Sequence, residues 1–384
     1  MVKKRICILG STGSIGRQAL EVIALFPEHF QVVGLSAGEN LELLVAQIKK
    51  FEPKIVSIAD GSKAKILKAK LSSKIKIVSG EAGLMELATL RQADLILMAI
   101  SGSVGLQPIL GAISFGKEIA LANKESLVMA GKLIMESAKR RGAQILPIDS
   151  EHSAIFQLLE GRSKEQVERV VLSASGGPFL RKSQRELKRV RVSEALNHPT
   201  WKMGKKISVD SATLMNKSLE LIEAKCLFGL KPEQLEVVIH PESIVHSLIM
   251  LRDGSVFAQL SMPDMRIPIA YALFYPKRLG IDFPRLNLTR VRALHFEKPD
   301  TERFPALKLG YHALQVQKSL PIVMNAVNEE AVNAFLLGKI GFNRIMELVE
   351  KVMDEHKVIE PAGIEKILEI DSWARNRTKE LIDG

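Results

Sequence analysis

Apolar and polar positions along residues 1–150 alternate between two spacings. Short apolar runs, such as residues 5–9, are typical of buried strands, and longer runs with apolar residues at helical spacing, such as residues 14–25, follow them. The further strand-like runs are residues 31–36, 55–59, 75–78, 95–99, 118–122 and 144–148, and the further helix-like runs are residues 40–51, 62–71, 82–90, 106–115 and 126–141. This alternation predicts an α/β fold with a parallel, doubly wound sheet and right-handed crossovers.

The pattern changes after residue 150, where strands and helices no longer alternate. Strands are predicted at residues 167–173, 235–239, 247–251 and 255–260, a hairpin turn at 252–254, one helix at 212–228, and helices again at 306–319, 325–337, 342–354 and 363–378. Around residues 275–296, irregularly spaced Pro, Arg and Asn residues indicate a linker between the strand-containing region and the C-terminal helices. We therefore expect a parallel-sheet domain at residues 1–149, an α+β domain at 150–274, a linker at 275–300 and a helical bundle domain at 301–384.

The composition is that of an ordinary globular protein and adds two expectations. Hydrophobic residues make up 46% of the chain, and no apolar run reaches the roughly 20 residues of a membrane span or forms the core of a secretory signal. Cys7 and Cys226 are too few for a disulfide framework, which favours a reducing cytoplasm. Both cysteines have apolar neighbours, so we interpret them as inert core thiols.

The net charge of +11 is compatible with a nucleic-acid partner or with an anionic small substrate. Apart from one cluster at residues 181–191, interpreted as a solvated helix face, the basic residues are dispersed along the chain. Aromatic residues make up only 5% of the chain and leave little surface for stacking on bases. We therefore favour a small-molecule substrate, with neither a nucleic acid nor a membrane as a partner.

Residues 10–16, GSTGSIG, follow the first strand and open the first helix. Such a glycine-rich loop allows the pyrophosphate of a dinucleotide to approach backbone N–H groups at a helix N-terminus, although the spacing is GxxGxxG rather than GxGxxG. A simple glycine-rich turn is the alternative. Glu39, near the end of the second strand, is either an acid that contacts the ribose 2′-hydroxyl and favours NAD, or an acid in the first turn of a helix. Spacing alone leaves the choice between NAD and NADP open.

The run Asp149-Ser150-Glu151 lies between the strand at 144–148 and a helix-like run at 152–160. If the backbone is still extended there, both carboxylates point the same way, at the carboxyl end of a parallel strand where α/β proteins bind ligands. They would then form half of a site for a hard divalent cation. The alternative is a helix N-cap followed by a first-turn acid.

A second group of polar residues lies on the predicted helix at 212–228. Asn216, Glu220 and Glu223 fall on one helix face beside Lys217, which suits an anionic ligand together with a metal ion; a solvated helix face is the alternative. Upstream, residues 173–179 form a Ser/Gly-rich turn that could bind a phosphate.

Three histidines accompany this region. His198 lies in a loop at residues 197–204 that mixes His, Trp, Met and Gly, as a closing lid does. His240 and His246 are spaced unlike a standard pair of metal ligands, and we interpret them as structural or supporting residues.

Seven motifs in order along the chain make a more specific comparison possible. They are GSTGSIG at 10–16, ANKES at 122–126, DSEH at 149–152, SGGPF at 175–179, HPTW at 198–201, ISVDSAT at 207–213, and Asn216-Lys217 with Glu220. Together they resemble the 1-deoxy-D-xylulose 5-phosphate reductoisomerase family of the non-mevalonate isoprenoid pathway, over essentially the whole chain. The resemblance implies an N-terminal dinucleotide domain, a connective catalytic domain and a C-terminal helical domain. It also implies an NADPH-dependent, homodimeric enzyme that isomerises its phosphorylated ketose to an aldehyde and reduces that to 2-C-methyl-D-erythritol 4-phosphate.

The resemblance also implies roles for individual residues. Asp149, Glu151 and Glu220 would bind one Mg²⁺ or Mn²⁺, with Glu223 as a supporting or alternate ligand. The substrate phosphate would be bound by Ser175, Ser211, Asn216 and Lys217. Other substrate contacts would come from Lys124, Ser150, Glu151, His198, Trp201, Met203 and Glu220. The catalytic group would be Lys124, Asp149, Glu151, His198 and Glu220. NADPH would be bound by Gly10, Thr12, Gly13, Ser14, Ile15, Gly38, Glu39, Asn40, Asn123, Glu125 and Gly204.

Glu39 departs from the family pattern, because members commonly carry a basic residue at that position. Gly38 and Asn40 keep the surrounding pattern, so we still favour NADPH. Two other functions are alternatives: a metal-independent NAD(P) oxidoreductase acting on an acyl phosphate or semialdehyde, and a basic nucleic-acid-binding protein that uses residues 181–191. The first requires a nucleophilic cysteine or a catalytic Lys–Asp pair near the second domain.

Overall fold

Residues 2–71 and 74–384 are described by a computed structural model, in which the chain forms two compact units. Unit 1 comprises Met1–Ser126, Lys132–Ser153 and Asp264–Phe283. Unit 2 comprises Leu127–Gly131, Ala154–Pro263 and Pro284–Gly384. The predicted three-domain division stays a prediction, but two segments depart from it. Residues 127–131 belong to unit 2, and residues 264–283 belong to unit 1.

Unit 1 is built on a seven-stranded parallel sheet with the order β4-β3-β2-β1-β5-β6-β7. The strands are β1 (Lys4–Leu9), β2 (Phe30–Ala37), β3 (Ile55–Ile58), β4 (Lys76–Ser79), β5 (Leu95–Met98), β6 (Glu118–Leu121) and β7 (Ile145–Pro147). The helices that begin in this unit are α1 (Ser14–Leu25), α2 (Leu41–Phe51), α3 (Gly61–Lys70), α4 (Gly80–Ala88), α5 (Leu106–Ser114), α6 (Lys124–Arg141), α7 (Ser150–Leu159) and α12 (Arg266–Phe274). The predicted doubly wound α/β fold is confirmed.

The sheet forms because its central strands are apolar on both faces. All four residues of β5 are fully buried, as are the last four of β1, which is the pattern of a strand covered by helices on both sides. Strand order reverses between β1 and β5, since β2 to β4 lie on one side of β1 and β5 to β7 on the other. The crevice at the carboxyl ends of these two strands is where such sheets bind ligands.

Helix α12 was not predicted from the sequence. Its first turn contains Pro268, which is tolerated there because the first N–H groups of a helix have no partner within it. Phe274, at its end, packs against Phe26 and Phe30 with ring centroids 4.9 and 4.7 Å apart. These contacts account for the assignment of this segment to unit 1.

Unit 2 combines a four-stranded mixed sheet with helices, in agreement with the α+β and helical regions predicted after residue 150. The sheet order is β11-β10-β8-β9, with β8 and β9 parallel and the other pairs antiparallel. Its strands are β8 (Val167–Ala174), β9 (Leu235–Ile239), β10 (Val245–Leu251) and β11 (Val256–Leu260). Its helices are α8 (Gln184–Leu187), α9 (Val192–Ala195), α10 (Lys205–Thr213), α11 (Met215–Phe228), α13 (Leu288–Val291), α14 (Ala306–Val316), α15 (Leu320–Leu336), α16 (Phe342–Glu355) and α17 (Ile364–Asp383).

The single helix predicted at residues 212–228 is wrong in one respect. The chain forms two helices, α10 and α11, that meet at Leu214, whose backbone is left-handed with φ of 63°. Thr213 stabilises the break, because its hydroxyl accepts a hydrogen bond from the N–H of Met215 at 3.3 Å. The break gives α11 its own N-terminus, and the polar residues of interest lie in its first turns.

Across the described ranges, no helix combines the length and the apolar character needed to cross a membrane.

Candidate active site

The glycine-rich loop between β1 and α1 is held from the side that faces the sheet. Ser36 on β2 accepts the N–H of Gly10 through its hydroxyl at 2.9 Å and the N–H of Ser11 through its carbonyl at 2.8 Å. Gln47 on α2 exchanges two further hydrogen bonds with Ser11, at 2.7 and 2.9 Å. Gly13 caps α1 without any side-chain hydrogen bond, and the first turn carries no acid. The positive end of α1 is therefore open to an anionic group such as a pyrophosphate.

Gly38, Glu39 and Asn40 are exposed at the end of β2. Asn40 caps α2, because its side-chain oxygen accepts the N–H of Leu43 at 3.0 Å. Glu39 precedes this cap, so its interpretation as a first-turn acid is wrong. Its carboxylate instead forms an ion pair with Lys63, from the first turn of α3.

The adjacent strands β6 and β7 end in Lys124 and Asp149, whose side chains meet. Leu121 pairs with Pro147 in the sheet, so the residues that follow these strands lie at the same edge. Lys124 Nζ contacts Asp149 Oδ2 at 2.5 Å, and the Lys124 side chain is only 8% exposed. A lysine is rarely buried unless it is paired, and Asp149 is the partner of Lys124 here.

The backbone expected at residues 149–151 is wrong. Helix α7 begins at Ser150, so Glu151 is a first-turn acid rather than part of an extended segment, and the alternative expectation describes the local structure better. Ser150 donates its hydroxyl to Glu151 Oε2 at 2.6 Å. Asp149 immediately precedes the helix and lies 3.7 Å from His152 Nδ1. The carboxylates of Asp149 and Glu151 nevertheless both lie at the N-terminal end of α7.

Asn123 caps α6 and ties it to the loop after β5. Its side-chain oxygen accepts the N–H of Ser126 at 3.1 Å, and its amide donates to the carbonyls of Ile100 and Gly102, both at 2.9 Å. The same amide lies 3.2 Å from Glu125 Oε2. Asn123 therefore positions the loop at the switch point of the sheet, whether or not it also contacts a cofactor.

In unit 2, His198 holds the Ser/Gly-rich turn. Its Nδ1 accepts the N–H groups of Thr200 and Trp201 at 3.1 and 2.9 Å, so in the neutral ring the hydrogen is on Nε2, which donates to Ser175 Oγ at 2.9 Å. Ser175 Oγ also accepts the N–H of Gly177 at 3.2 Å. Burial lowers the pKa of His198 from its ordinary 6.5 to about 4, so the ring is neutral at physiological pH.

This pKa makes stability depend on pH. Between about pH 6.5 and 4 the unfolded chain binds a proton at His198 that the folded chain does not, so the free energy of unfolding rises with pH. The contribution of His198 is complete above pH 6.5, is lost as pH falls toward 4, and changes no further below that. We expect the melting temperature of wild type to fall more between about pH 7 and about pH 5 than that of His198→Asn, whose amide oxygen can still accept both N–H groups. Equal falls measured by circular dichroism would contradict this assignment.

The polar residues of α11 are buried, so their interpretation as a solvated helix face is wrong. Glu220 is fully buried, and Lys217 and Glu223 are 3% and 4% exposed. Asn216 donates its amide to Glu220 Oε1 at 2.5 Å, and the Lys217 ammonium forms an ion pair with Glu220 Oε2. Charged side chains are rarely buried without a functional or structural partner.

Ser211 lies beside the Ser/Gly-rich turn. A Cβ on Gly177, whose φ is +69°, would lie 2.6 Å from the carbonyl oxygen of Ser211, so this close approach requires glycine. No side chain caps α11 at Leu214. Ser175, Ser211 and the first turn of α11 are thus contributed by segments that follow or contact one another within unit 2.

The loop at 197–204 has no helix or strand before α10, which Gly204 caps. Trp201 and Met203 are half-buried, and the Trp201 ring lies 6.3 Å from that of His246. His246 Nε2 contacts Ser261 Oγ at 2.8 Å, and His240 lies between the His295 carbonyl and the N–H of Ile244. The interpretation of His240 and His246 as structural or supporting residues agrees with these contacts.

Three family models match the chain in sequence. They are "1-deoxy-D-xylulose 5-phosphate reductoisomerase" over residues 6–131, "1-deoxy-D-xylulose 5-phosphate reductoisomerase C-terminal domain" over 145–228, and "DXP reductoisomerase C-terminal domain" over 260–377. The chain belongs to the 1-deoxy-D-xylulose 5-phosphate reductoisomerase family.

Curated relatives and solved structures agree with this assignment. The reductoisomerase of Geobacter metallireducens is 51% identical over 99% of both chains. The chain also resembles a crystal structure of a reductoisomerase with NADPH, fosmidomycin and magnesium, with a TM-score of 0.93, 40% identity, and coverage of 99% and 98%. The reductoisomerase of Zymomonas mobilis in complex with NADPH gives a TM-score of 0.92 and 42% identity over 100% of both chains. The resemblance that the motifs indicated is confirmed.

Two features of this chain count against the acyl-enzyme form of the first alternative function and against the second alternative. Burial raises the pKa of the Cys226 thiol to about 11, and Glu223 adds to the effect, so Cys226 is not a nucleophile for acyl transfer. Within the basic cluster at residues 181–191 only Arg185 lies in a helix, α8; Arg191 is the N-cap of α9, and Arg181 forms an ion pair with Glu297. It is therefore not one continuous helix face.

Sequence reasoning missed one buried carboxylate of this chain. Asp210 on α10 is 2% exposed, and its oxygens contact Lys206 Nζ and Asn328 Nδ2, each at 2.8 Å. The second contact ties α10, and with it Ser211, to α15. Lys206 lies four positions before Asp210 on the same helix, which is a spacing that a sequence can indicate. Asn328 is 118 positions from Asp210, so the sequence contains no local signal of the contact between Asn328 and Asp210.

Proposed function

We propose that this chain converts 1-deoxy-D-xylulose 5-phosphate to 2-C-methyl-D-erythritol 4-phosphate in isoprenoid precursor biosynthesis, using NADPH and one divalent cation. The observation that carries this proposal is the full-length match to the family, including relatives about half of whose residues are identical. The doubly wound sheet with an open helix N-terminus, and the buried charges of α11, supply the chemical groups that such a reaction needs.

Asp149, Glu151 and Glu220 are proposed to bind the cation, as the family resemblance implies. All three offer carboxylate oxygens, the ligands that Mg²⁺ and Mn²⁺ prefer, and Glu220 is fully buried. Glu223, one turn further along α11, is a supporting or alternate ligand. When bound, the cation acts as a Lewis acid on the substrate carbonyl and the neighbouring hydroxyl.

The phosphate of the substrate is proposed to bind Ser175, Ser211, Asn216 and Lys217. Support comes from unit 2 alone: the Ser175 turn contacts Ser211, and Asn216 and Lys217 lie in the uncapped first turn of α11. The N-terminus of a helix of this length attracts a phosphate through its free N–H groups and its dipole. Lys217 adds a full positive charge.

Lys124 and Ser150 are proposed to contact the hydroxyl groups of the substrate. The Lys124 ammonium, next to Asp149, can donate a hydrogen bond to an oxygen on which negative charge develops. His198, Trp201 and Met203 are proposed to exclude water from the aldehyde formed by the rearrangement, because water would hydrate it. The neutral ring of His198 keeps the Ser175 turn in place meanwhile.

NADPH is proposed to lie across the glycine-rich loop and the end of β2. The contacts expected are those of Gly10, Thr12, Gly13, Ser14, Ile15, Gly38, Glu39, Asn40, Asn123, Glu125 and Gly204. The open N-terminus of α1 supports the placement of the pyrophosphate.

Three broader properties complete the proposal. The enzyme is proposed to be a cytoplasmic homodimer that accepts Mn²⁺ as well as Mg²⁺. Cys7 and Cys226 are free thiols, as suits a reducing compartment. The edge strand β11 exposes Val256 and Phe257, which are 53% and 39% exposed, and a second copy could cover them.

The decisive experiment follows the absorbance of NADPH with 1-deoxy-D-xylulose 5-phosphate as the substrate. We expect oxidation of NADPH in the presence of Mn²⁺, its loss after chelation of the metal, and its return when Mn²⁺ is restored. The unphosphorylated ketose is the matched control and should react far more slowly, because it lacks the group that Lys217 is proposed to bind. Oxidation that survives chelation would favour a metal-independent oxidoreductase instead.

A further inference from the structure

The end of β2 carries the wrong charge for the cofactor that the family uses. In dinucleotide-binding sheets the ribose of the adenosine lies near this strand end, where a basic residue accommodates the 2′-phosphate of NADP and an acid accepts the 2′-hydroxyl of NAD. Glu39 is 83% exposed there and would repel a 2′-phosphate. A positive charge from elsewhere in the chain is needed to offset it.

Lys63 supplies such a charge from the neighbouring strand. Strands β2 and β3 pair up to Ala37 and Ile58, so α3, which follows β3, begins beside the residues that follow β2. Lys63, in the first turn of α3, donates to the Glu39 carboxylate and to the Glu39 carbonyl, the latter at 3.3 Å. The ammonium therefore lies directly against the backbone of the strand end.

Lys63 and Glu39 differ in the exposure of their side chains. The Lys63 side chain is 27% exposed, whereas the Glu39 side chain is 83% exposed and can turn toward solvent. Asp60 also faces Lys63, but it caps α3 by accepting the N–H of Ser62 at 2.7 Å. An incoming phosphate can thus displace the Glu39 carboxylate from Lys63 while Asp60 keeps its own partner.

We propose that Lys63 binds the 2′-phosphate of NADPH and that Glu39 is the counter-ion it exchanges for that phosphate. Lys63 supplies at this strand end the positive charge that Glu39 does not. Glu39 then lowers the affinity for NADPH without reversing the preference, because its charge moves away when the phosphate binds. This inference rests on the proposed placement of the cofactor at the glycine-rich loop and the end of β2.

The test compares Lys63→Ala, Lys63→Arg and Glu39→Gln with wild type, using kcat/KM and Kd for both NADPH and NADH. Losing one charge-assisted contact should lower kcat/KM with NADPH by about 10- to 100-fold and leave that with NADH unchanged. Lys63→Arg should keep the preference, and Glu39→Gln should bind NADPH more tightly. Lys65→Ala, an exposed lysine on the same helix, is the matched control and should behave as wild type.

Several outcomes would overturn the inference. They are an equal fall with both cofactors in Lys63→Ala, no fall with either, a fall in Lys63→Arg as deep as in Lys63→Ala, or a wild type that uses NADH at least as well as NADPH. In each case turnover by wild type would leave the proposed function standing. Absence of turnover by wild type with both cofactors would instead refute that function, and the Kd values would still test the role of Lys63.

Discussion

Replacing Glu220 with glutamine is expected to weaken Mn²⁺ binding by more than about 100-fold, since loss of groups that merely support metal ligands already costs 10- to 100-fold. Glu220 is proposed as a direct ligand, and a neutral amide is a poor substitute for a carboxylate at a hard cation. The electron paramagnetic resonance signal of free Mn²⁺ measures binding without relying on activity. Turnover at a fixed Mn²⁺ concentration should fall in parallel.

The same substitution removes the charge partner of the buried Lys217, so the melting temperature should fall as well. Glu151→Gln separates the two effects, because the Glu151 side chain is only half-buried whereas Glu220 is fully buried. It should weaken Mn²⁺ binding with little loss of stability. Glu233→Gln, on an exposed turn of unit 2, is the control. Unchanged Mn²⁺ affinity in both test variants would refute the metal site.

Replacing Gly16 with alanine is expected to weaken NADPH binding by about 10- to 100-fold. The added Cβ would overlap the carbonyl oxygen of Gly10 and lie 2.6 Å from Cα of Ser11. The loop or α1 must shift to relieve this overlap, and the N–H groups proposed to bind the pyrophosphate shift with it. Quenching or enhancement of NADPH fluorescence on titration measures the dissociation constant directly.

Gly280→Ala is the matched control, because nothing lies within 4 Å of a Cβ at that position of the same unit. It should bind NADPH as wild type does. Mn²⁺ binding should be similar in both variants if Gly16→Ala acts only on the loop. An NADPH affinity in Gly16→Ala equal to that of the control would show that the loop does not position the pyrophosphate.

The sequence predicts unit 1 well because its apolar runs directly mark fully buried strands. It does not predict the break at Leu214, since leucine neither favours a left-handed backbone nor interrupts a helix. The contacts that stabilise the break come from Thr213 and from the tertiary structure around it. Helix α12 was missed because Pro268 interrupts its pattern, and its place in unit 1 depends on aromatic contacts made far along the sequence.

Residue types at the candidate site are evident in the motifs, but their environments are not. The sequence left the polar face of α11 open between solvent and ligand, and only burial in the structure separates the two. The pairs Glu39 with Lys63 and Asp210 with Asn328 join residues 24 and 118 positions apart. Such pairs follow from strand order and helix packing, which a periodicity argument does not supply.

The double contact of Glu220 has a thermodynamic consequence. Its carboxylate accepts a hydrogen bond from the Asn216 amide and forms an ion pair with Lys217. Asn216 and Lys217 are also among the groups proposed to bind the substrate phosphate. A cation that draws Glu220 away leaves those donors to the phosphate, and a phosphate that takes them leaves Glu220 to the cation. By linkage, each ligand then raises the affinity for the other by the same factor. Metal and substrate would thus bind with positive heterotropic cooperativity, through one carboxylate and two neighbouring side chains.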